Sequence, residues 1–159
     1  MILIPLSRPL LEAILADQLS DRFVCELVWT RLGYQPLPGA GPGAPSSSVP
    51  WRPGPGTPAD WAQAFPEAPQ LIAERRPSVQ LTRSIPAVYK QLLKSQFGFS
   101  GYKIGELFPR RTRRATAVSW LLAYLAARGE PLLDNGPLPD LLEPPSDPLR
   151  GHPGDPVIG

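Results

Sequence analysis

Four arginines fall within five residues, Arg110, Arg111, Arg113 and Arg114. A guanidinium carries five donors in a planar fork and matches carboxylate or phosphate oxygens two at a time. Clustered arginines therefore point to anion recognition. Thirteen uncharged residues follow, Ala115 to Ala127, and then Arg128 and Gly129. The pattern predicts a central helix. Pro109 suits a first helical position and Gly129 a left-handed end. Val118, Leu121, Leu122 and Leu125 share one face, and Ala117, Trp120 and Tyr124 another. Cations at a helix start oppose the macrodipole by roughly 0.3–1 kcal/mol each where exposed. An anion at this end would remove the conflict, so Arg110, Arg111, Arg113 and Arg114 are the candidate site, extended by Lys90, Lys94, Lys103 and Tyr102. The bland reading carries equal weight: the arginines are solvated or paired with local acids such as Glu106.

The other reactive side chains point away from catalysis. Cys25 is the only cysteine and reads as a small buried hydrophobe. His152 is the only histidine and stands between Gly151 and Pro153, where nothing rigid is expected around it. Asp17 and Asp21 read as a cap and a solvated charge. Gly98, Gly101 and Gly105 do not follow a convincing strand, so they do not form a phosphate loop. No enzymatic activity, cofactor or metal is expected.

The elements that must hold the arginines are helical. Ser7 caps a first helix bearing Leu10, Leu11, Ile14 and Leu15. Ser20 caps a second, with Phe23, Val24, Leu27, Val28 and Leu32 inward and Gly33 as its stop. Asp60 to Phe65 makes one turn. Pro69 opens a short helix that Pro77 ends, and Val79 to Thr82 is a brief extended stretch. Ser84 and Pro86 start a helix to Gly98, with Phe99 as the apolar contact of a Schellman ending. Residues 102–108 form a short helix or a structured turn. Leu27, Val28, Leu92, Val118, Leu122 and Leu125 are expected at the centre of the core. The fold class is mainly α, a small single-domain bundle of four to six helices over 1–129.

Twenty-three prolines in 159 residues are unevenly spread. Eight lie between Pro36 and Pro58 and eight between Pro131 and Pro156. The first stretch is rich in Pro, Gly and Ser, and reads as a disordered loop that leaves the role of Trp51 open. The second, 130–159, reads as a mostly mobile acidic tail whose leucines could dock. Charge is segregated too. Residues 1–74 carry four basic and seven acidic side chains, residues 75–128 eleven basic and one acidic, and residues 129–159 one basic and six acidic. A strongly basic segment beside acidic flanks fits a polyanion or an acidic protein surface as partner. The single cysteine, the short MILIPL start and the lack of an 18-residue apolar run predict a soluble, cytoplasmic protein without membrane association.

The blocks LSDRFVCELVWTRLGY (19–34), LTRSIP (81–86), KQLLKSQFGFSGYKIGEL (90–107) and PRRTRRATAVSWLLAYL (109–125) resemble an uncharacterised family. It is known only as a domain of unknown function in photosynthetic bacteria, with relatives in plant plastids. The resemblance implies a soluble protein of a phototroph and brings no activity with it. The insertion at 36–58 and the long tail depart from that family's more compact pattern. Two functions stand. In the first, the arginines bind nucleic acid, and helices 86–97 and 110–128 share the order of a helix-turn-helix without its turn spacing. In the second, the basic face docks an acidic protein surface.

Overall fold

The computed structural model describes residues 4–38 and 49–159. Among them are six α-helices and one two-stranded sheet: α1 (Arg8–Leu15), α2 (Asp21–Arg31), β1 (Tyr34–Pro36), β2 (Trp51–Pro53), α3 (Ala59–Ala64), α4 (Arg75–Ser84), α5 (Leu92–Phe97) and α6 (Pro109–Arg128). The caps of the first two helices are those the sequence predicts. Ser7 Oγ accepts the Leu10 N–H and Ser20 Oγ the Phe23 N–H. At the corner between these helices Asp17 is forced into left-handed backbone, φ +60°.

α6 is the axis of the bundle, with Pro109 at its first position and left-handed Gly129 at its end. It packs against α1, α2, α4 and α5. Val118, Leu121, Leu122 and Leu125 are buried among Leu27 and Val28 of α2, as their spacing predicts. Trp120 is buried as well, and its indole N–H donates to Ser84 Oγ at 3.0 Å. Leu92 lies at the margin and its neighbour Leu93 takes the interior place.

Three local readings are corrected. Pro77 does not end a helix. It occupies the first turn of α4, where its missing N–H has no intrahelical partner to lose. Val79 to Thr82 accordingly lie inside α4 and are not extended. The helix expected from Ser84 to Phe97 is interrupted, with a 3₁₀ turn at Ala87–Tyr89 and then the short α5. Its ending is the expected one: Gly98 is left-handed and the Phe99 N–H reaches Leu93 O.

Within the stretch read as a disordered loop, residues 39–48 lie outside the described residues, and the rest has definite structure. β1 and β2 pair antiparallel with Pro36 opposite Trp51. Trp51 is 5% exposed, its ring centroid 5.6 Å from that of Trp29, and its carbonyl accepts the Ala68 N–H. Gly33 and Gly54 close this corner, where a Cβ on Gly54 would stand 2.5 Å from Gly33 O.

The tail expected to be mobile is tied to the helices at several points. Leu133 pairs with Ser7, the Leu142 N–H donates to Gln18 O and the Gly159 N–H to Ala73 O. Leu132 and Ile158 pack against the core. Among the described residues, no helix is long and apolar enough to cross a membrane.

Candidate functional site

The arginines at the start of α6 have different surroundings. Arg110 is 1% exposed and Arg114 3% exposed. Arg110 grips Asp17 with both terminal nitrogens, Nη1 to Oδ2 at 2.6 Å and Nη2 to Oδ1 at 2.9 Å. Its Nε donates to Asp21 Oδ2 at 3.1 Å. Arg114 Nη1 donates to Asp21 Oδ1 at 2.7 Å, and its Nη2 to the carbonyl of Ile14. Both acids come from the corner between α1 and α2. The conflict between cations and the helix start is thus resolved inside the protein, by carboxylates that are remote in sequence. The sequence predicts an exposed cationic cluster at this end; burial of the Arg110 and Arg114 guanidiniums corrects it.

A third carboxylate comes from the tail. Asp155 Oδ2 lies 3.3 Å from Arg110 Nη2, and Asp155 Oδ1 accepts the N–H of Asp21, the first residue of α2. His152 is buried beside it, with Nε2 3.1 Å from Glu143 O. Burial acts on Asp17 and Asp21. For Asp17 it would raise the carboxyl, yet the hydrogen bonds and charges of Arg110 and Arg114 bring it below the ordinary value. For Asp21, buried almost completely, desolvation outweighs the same two arginines and the carboxyl sits above it. Arg110 is pulled down by burial but raised overall by Asp17 and Asp21.

Arg113 is half-buried and donates to the carbonyls of Ile72 and Gly159. The Arg111 side chain is 28% exposed: its guanidinium lies 4.4 Å from the centroid of Phe108 and 5.3 Å from that of Tyr102, with Glu106 at 3.5 Å. Among the described residues, the pairing with Glu106 that the sequence offers is made by Arg111. Tyr102 is half-buried, edge-on to Phe99.

Lys90, Lys94 and Lys103 are exposed, and Lys90 lines a cleft that neither Arg110 nor Arg114 lines. This cleft of about 370 Å³ opens between α4, α5 and α6, lined by Ile85, Leu93, Phe99, Leu107 and Ala115, with Lys90 at its edge. Val88 is 78% and Ile104 91% exposed, each two residues from a lining position, and Leu107 is exposed at the lip of the cleft. Between residues 75 and 109 the charged side chains are Arg75, Arg76, Arg83, Lys90, Lys94, Lys103 and the single acid Glu106.

A family model described as a domain of unknown function, DUF1823, matches residues 5–126. The chain belongs to the DUF1823 family. No curated protein matches it. A chain whose structure was determined by solution NMR is 46% identical, with a TM-score of 0.62, over 80% of this chain and 98% of that one.

The DUF1823 match contains Asp17, Asp21, Arg110 and Arg114, and stops before His152 and Asp155. The structure brings Arg110 and Arg114 together with residues that the sequence reading set aside. By sequence alone Asp17 and Asp21 read as a cap and a solvated charge, and His152 has nothing rigid around it; the fold buries Asp21 against Arg110 and His152 beside Asp155. The signal that could have found them was the charge segregation: eleven basic residues in one segment need acids from the other two.

Proposed function

We propose that this DUF1823 domain is a non-enzymatic, cytoplasmic binding protein that docks an acidic protein surface. The docking face is the cleft between α4, α5 and α6, with Lys90 at its edge and Lys94 and Lys103 next in sequence to its lining residues Leu93 and Tyr102. One observation carries the reading: Leu107 and Lys90 line an apolar cleft, and the exposed Val88 and Ile104 stand two residues from its lining positions Lys90 and Tyr102, in a segment, 75–109, that carries six basic side chains and one acid. Exposed apolar side chains ringed by charge are the composition of a protein interface, with an apolar centre and a polar rim. A small ligand in the cleft would leave Val88 and Ile104 in water, whereas a partner segment covers them. Nucleic acid is the weaker reading. It relied on four free guanidiniums, and those of Arg110 and Arg114 are engaged by aspartates. The resemblance to proteins of photosynthetic bacteria and plastids points, on this reading, to a partner in a phototroph.

The test replaces Ile104 with a photo-crosslinking amino acid and irradiates a native lysate with and without nuclease. The expected result is a protein adduct that survives nuclease and is lost on Lys90→Glu with Lys103→Glu. It also weakens at about 0.5 M salt, where charge attraction is screened. Adducts that vanish with nuclease, or that ignore both charge reversals, overturn the reading.

A further inference from the structure

The carboxylate of Asp155 sits in a built site. Its two oxygens take the Asp21 N–H at the amino end of α2 at 3.1 Å, the guanidinium of Arg110 at 3.3 Å and the His152 N–H at 2.8 Å. Its side chain is 2% exposed. The backbone is shaped to the same end. Gly151, at φ +93°, lets the tail pass so close to Arg110 that a Cβ there would stand 2.6 Å from Nε. Arg110 Nη1 also donates to Pro148 O. A helix N-terminus and a buried guanidinium converging on one carboxylate are the elements of an anion-recognition site.

The fit of the tail is nevertheless incomplete. Three carboxylates, Asp17, Asp21 and Asp155, face two guanidiniums, Arg110 and Arg114. His152 Nδ1 is buried without a hydrogen-bond partner, 3.5 Å from Asp155 Oδ2 and 3.9 Å from Asp17 Oδ1. Asp155 adds to the burial that holds the Asp21 carboxyl above its ordinary value. The segment that joins the tail to α6, 130–143, is largely exposed. The family match, which contains both arginines and both receiving aspartates, ends before it.

We propose that residues 144–159 are a displaceable, built-in ligand of a carboxylate-recognition site formed by Arg110 and the amino end of α2. The outside ligand of that site is an acidic, glycine- and proline-rich segment of another protein, which presents an aspartate as the tail does. A phosphate dianion would meet Asp17 and Asp21 with one charge more than a carboxylate, so the site favours a carboxylate, as the tail's Asp155 supplies. This surface is separate from the cleft beside Lys90, and the two readings stand or fall independently.

The probe is a fluorescein-labelled peptide of residues 144–159, followed by anisotropy against the full chain. In the intact chain the tethered tail competes at an effective concentration of about a millimolar, so the peptide binds poorly. In the full chain carrying Asp155→Asn the tethered tail is weakened, and the labelled peptide binds at least about tenfold more tightly, the worth of one charge-assisted hydrogen bond. A labelled peptide with its own Asp155→Asn change loses that gain. A folded Asp155→Asn chain that binds the peptide no better than the intact chain overturns the proposal. If that variant does not fold, the intact chain with a protease site in place of Pro137–Pro139 is cut after folding. Exchange of the cut tail for labelled peptide supports the proposal. A cut tail that excess peptide never replaces, or one that leaves without the peptide binding, overturns it.

Discussion

Arg114 and Arg111 lie one turn apart on α6 and differ in what surrounds them. Arg114 is locked between Asp21 and the Ile14 carbonyl, while Arg111 lies over two aromatic rings at the surface. Removing one member of a buried ion pair leaves the other charge stranded, at a cost of about 3–5 kcal/mol. Arg114→Gln should lower the unfolding free energy in urea by that amount, and Arg111→Gln by less than about 1 kcal/mol. Equal effects would mean that burial does not separate the two. The acids give a pH signature. The Asp17 carboxyl is held below its ordinary value by Arg110 and Arg114 against the opposing effect of burial. Its contribution is complete above the unfolded value, about 3.9, and is lost as pH falls through the lower folded value. Asp21, raised by burial, acts with the opposite sign and gains a proton in the fold first. Asp17→Asn should therefore flatten the loss of stability below about pH 4, measured as the urea midpoint from pH 2 to 7. At the same scale Cys25 is inert: burial pushes its thiol up to about 12. Thiol reagents at neutral pH should modify it only after unfolding.

The helices were legible where a local rule sufficed. Ser7, Ser20, Gly33, Gly98 and Gly129 mark ends by their own chemistry, and α6 announces itself by periodicity. Elements that depend on distant partners were not. β1 and β2 are three residues each, too short for an alternating pattern, and they exist because Trp51 can pack on Trp29. Pro77 could stop one helix or start another, and only the burial of Leu81 on α6's side of the bundle decides for α4. The same holds for the site. Anion chemistry was legible in four clustered arginines, but their partners are some ninety residues away, beyond any local pattern. If the hairpin is integral, Trp51→Ala should cost about 3–5 kcal/mol, as large buried aromatics do. Urea titration showing less than 1 kcal/mol would return the segment to the status of a loop.

Across the whole molecule, charge segregation organises the fold. The basic segment 75–128 receives carboxylates from the corner of α1 and α2 on one side and from the tail on the other. The tail thereby joins the packing of a domain whose family match ends at residue 126. Truncation after Gly129 removes the Asp155 carboxylate from Arg110 and the Asp21 N–H, uncovers the apolar contact of Ile158, and leaves the Leu6 carbonyl without the Leu133 N–H. The arginine remains paired with Asp17 and Asp21, so the helices should still fold. The loss should be at least about 1.5–3 kcal/mol, the worth of a single hydrogen bond to a charged group, and should appear as a fall of several degrees in melting temperature. Because residues 144–159 bind only the folded chain, adding them as a separate peptide should raise the melting temperature again, by about 2.7 kcal/mol of stability at a hundred times its Kd. Calorimetry of the truncated chain with and without peptide 144–159 measures both. A truncated chain as stable as the full one would mean that the tail lies on the domain without holding it. A destabilised chain that the peptide does not rescue would mean that the tail contributes only when covalently joined.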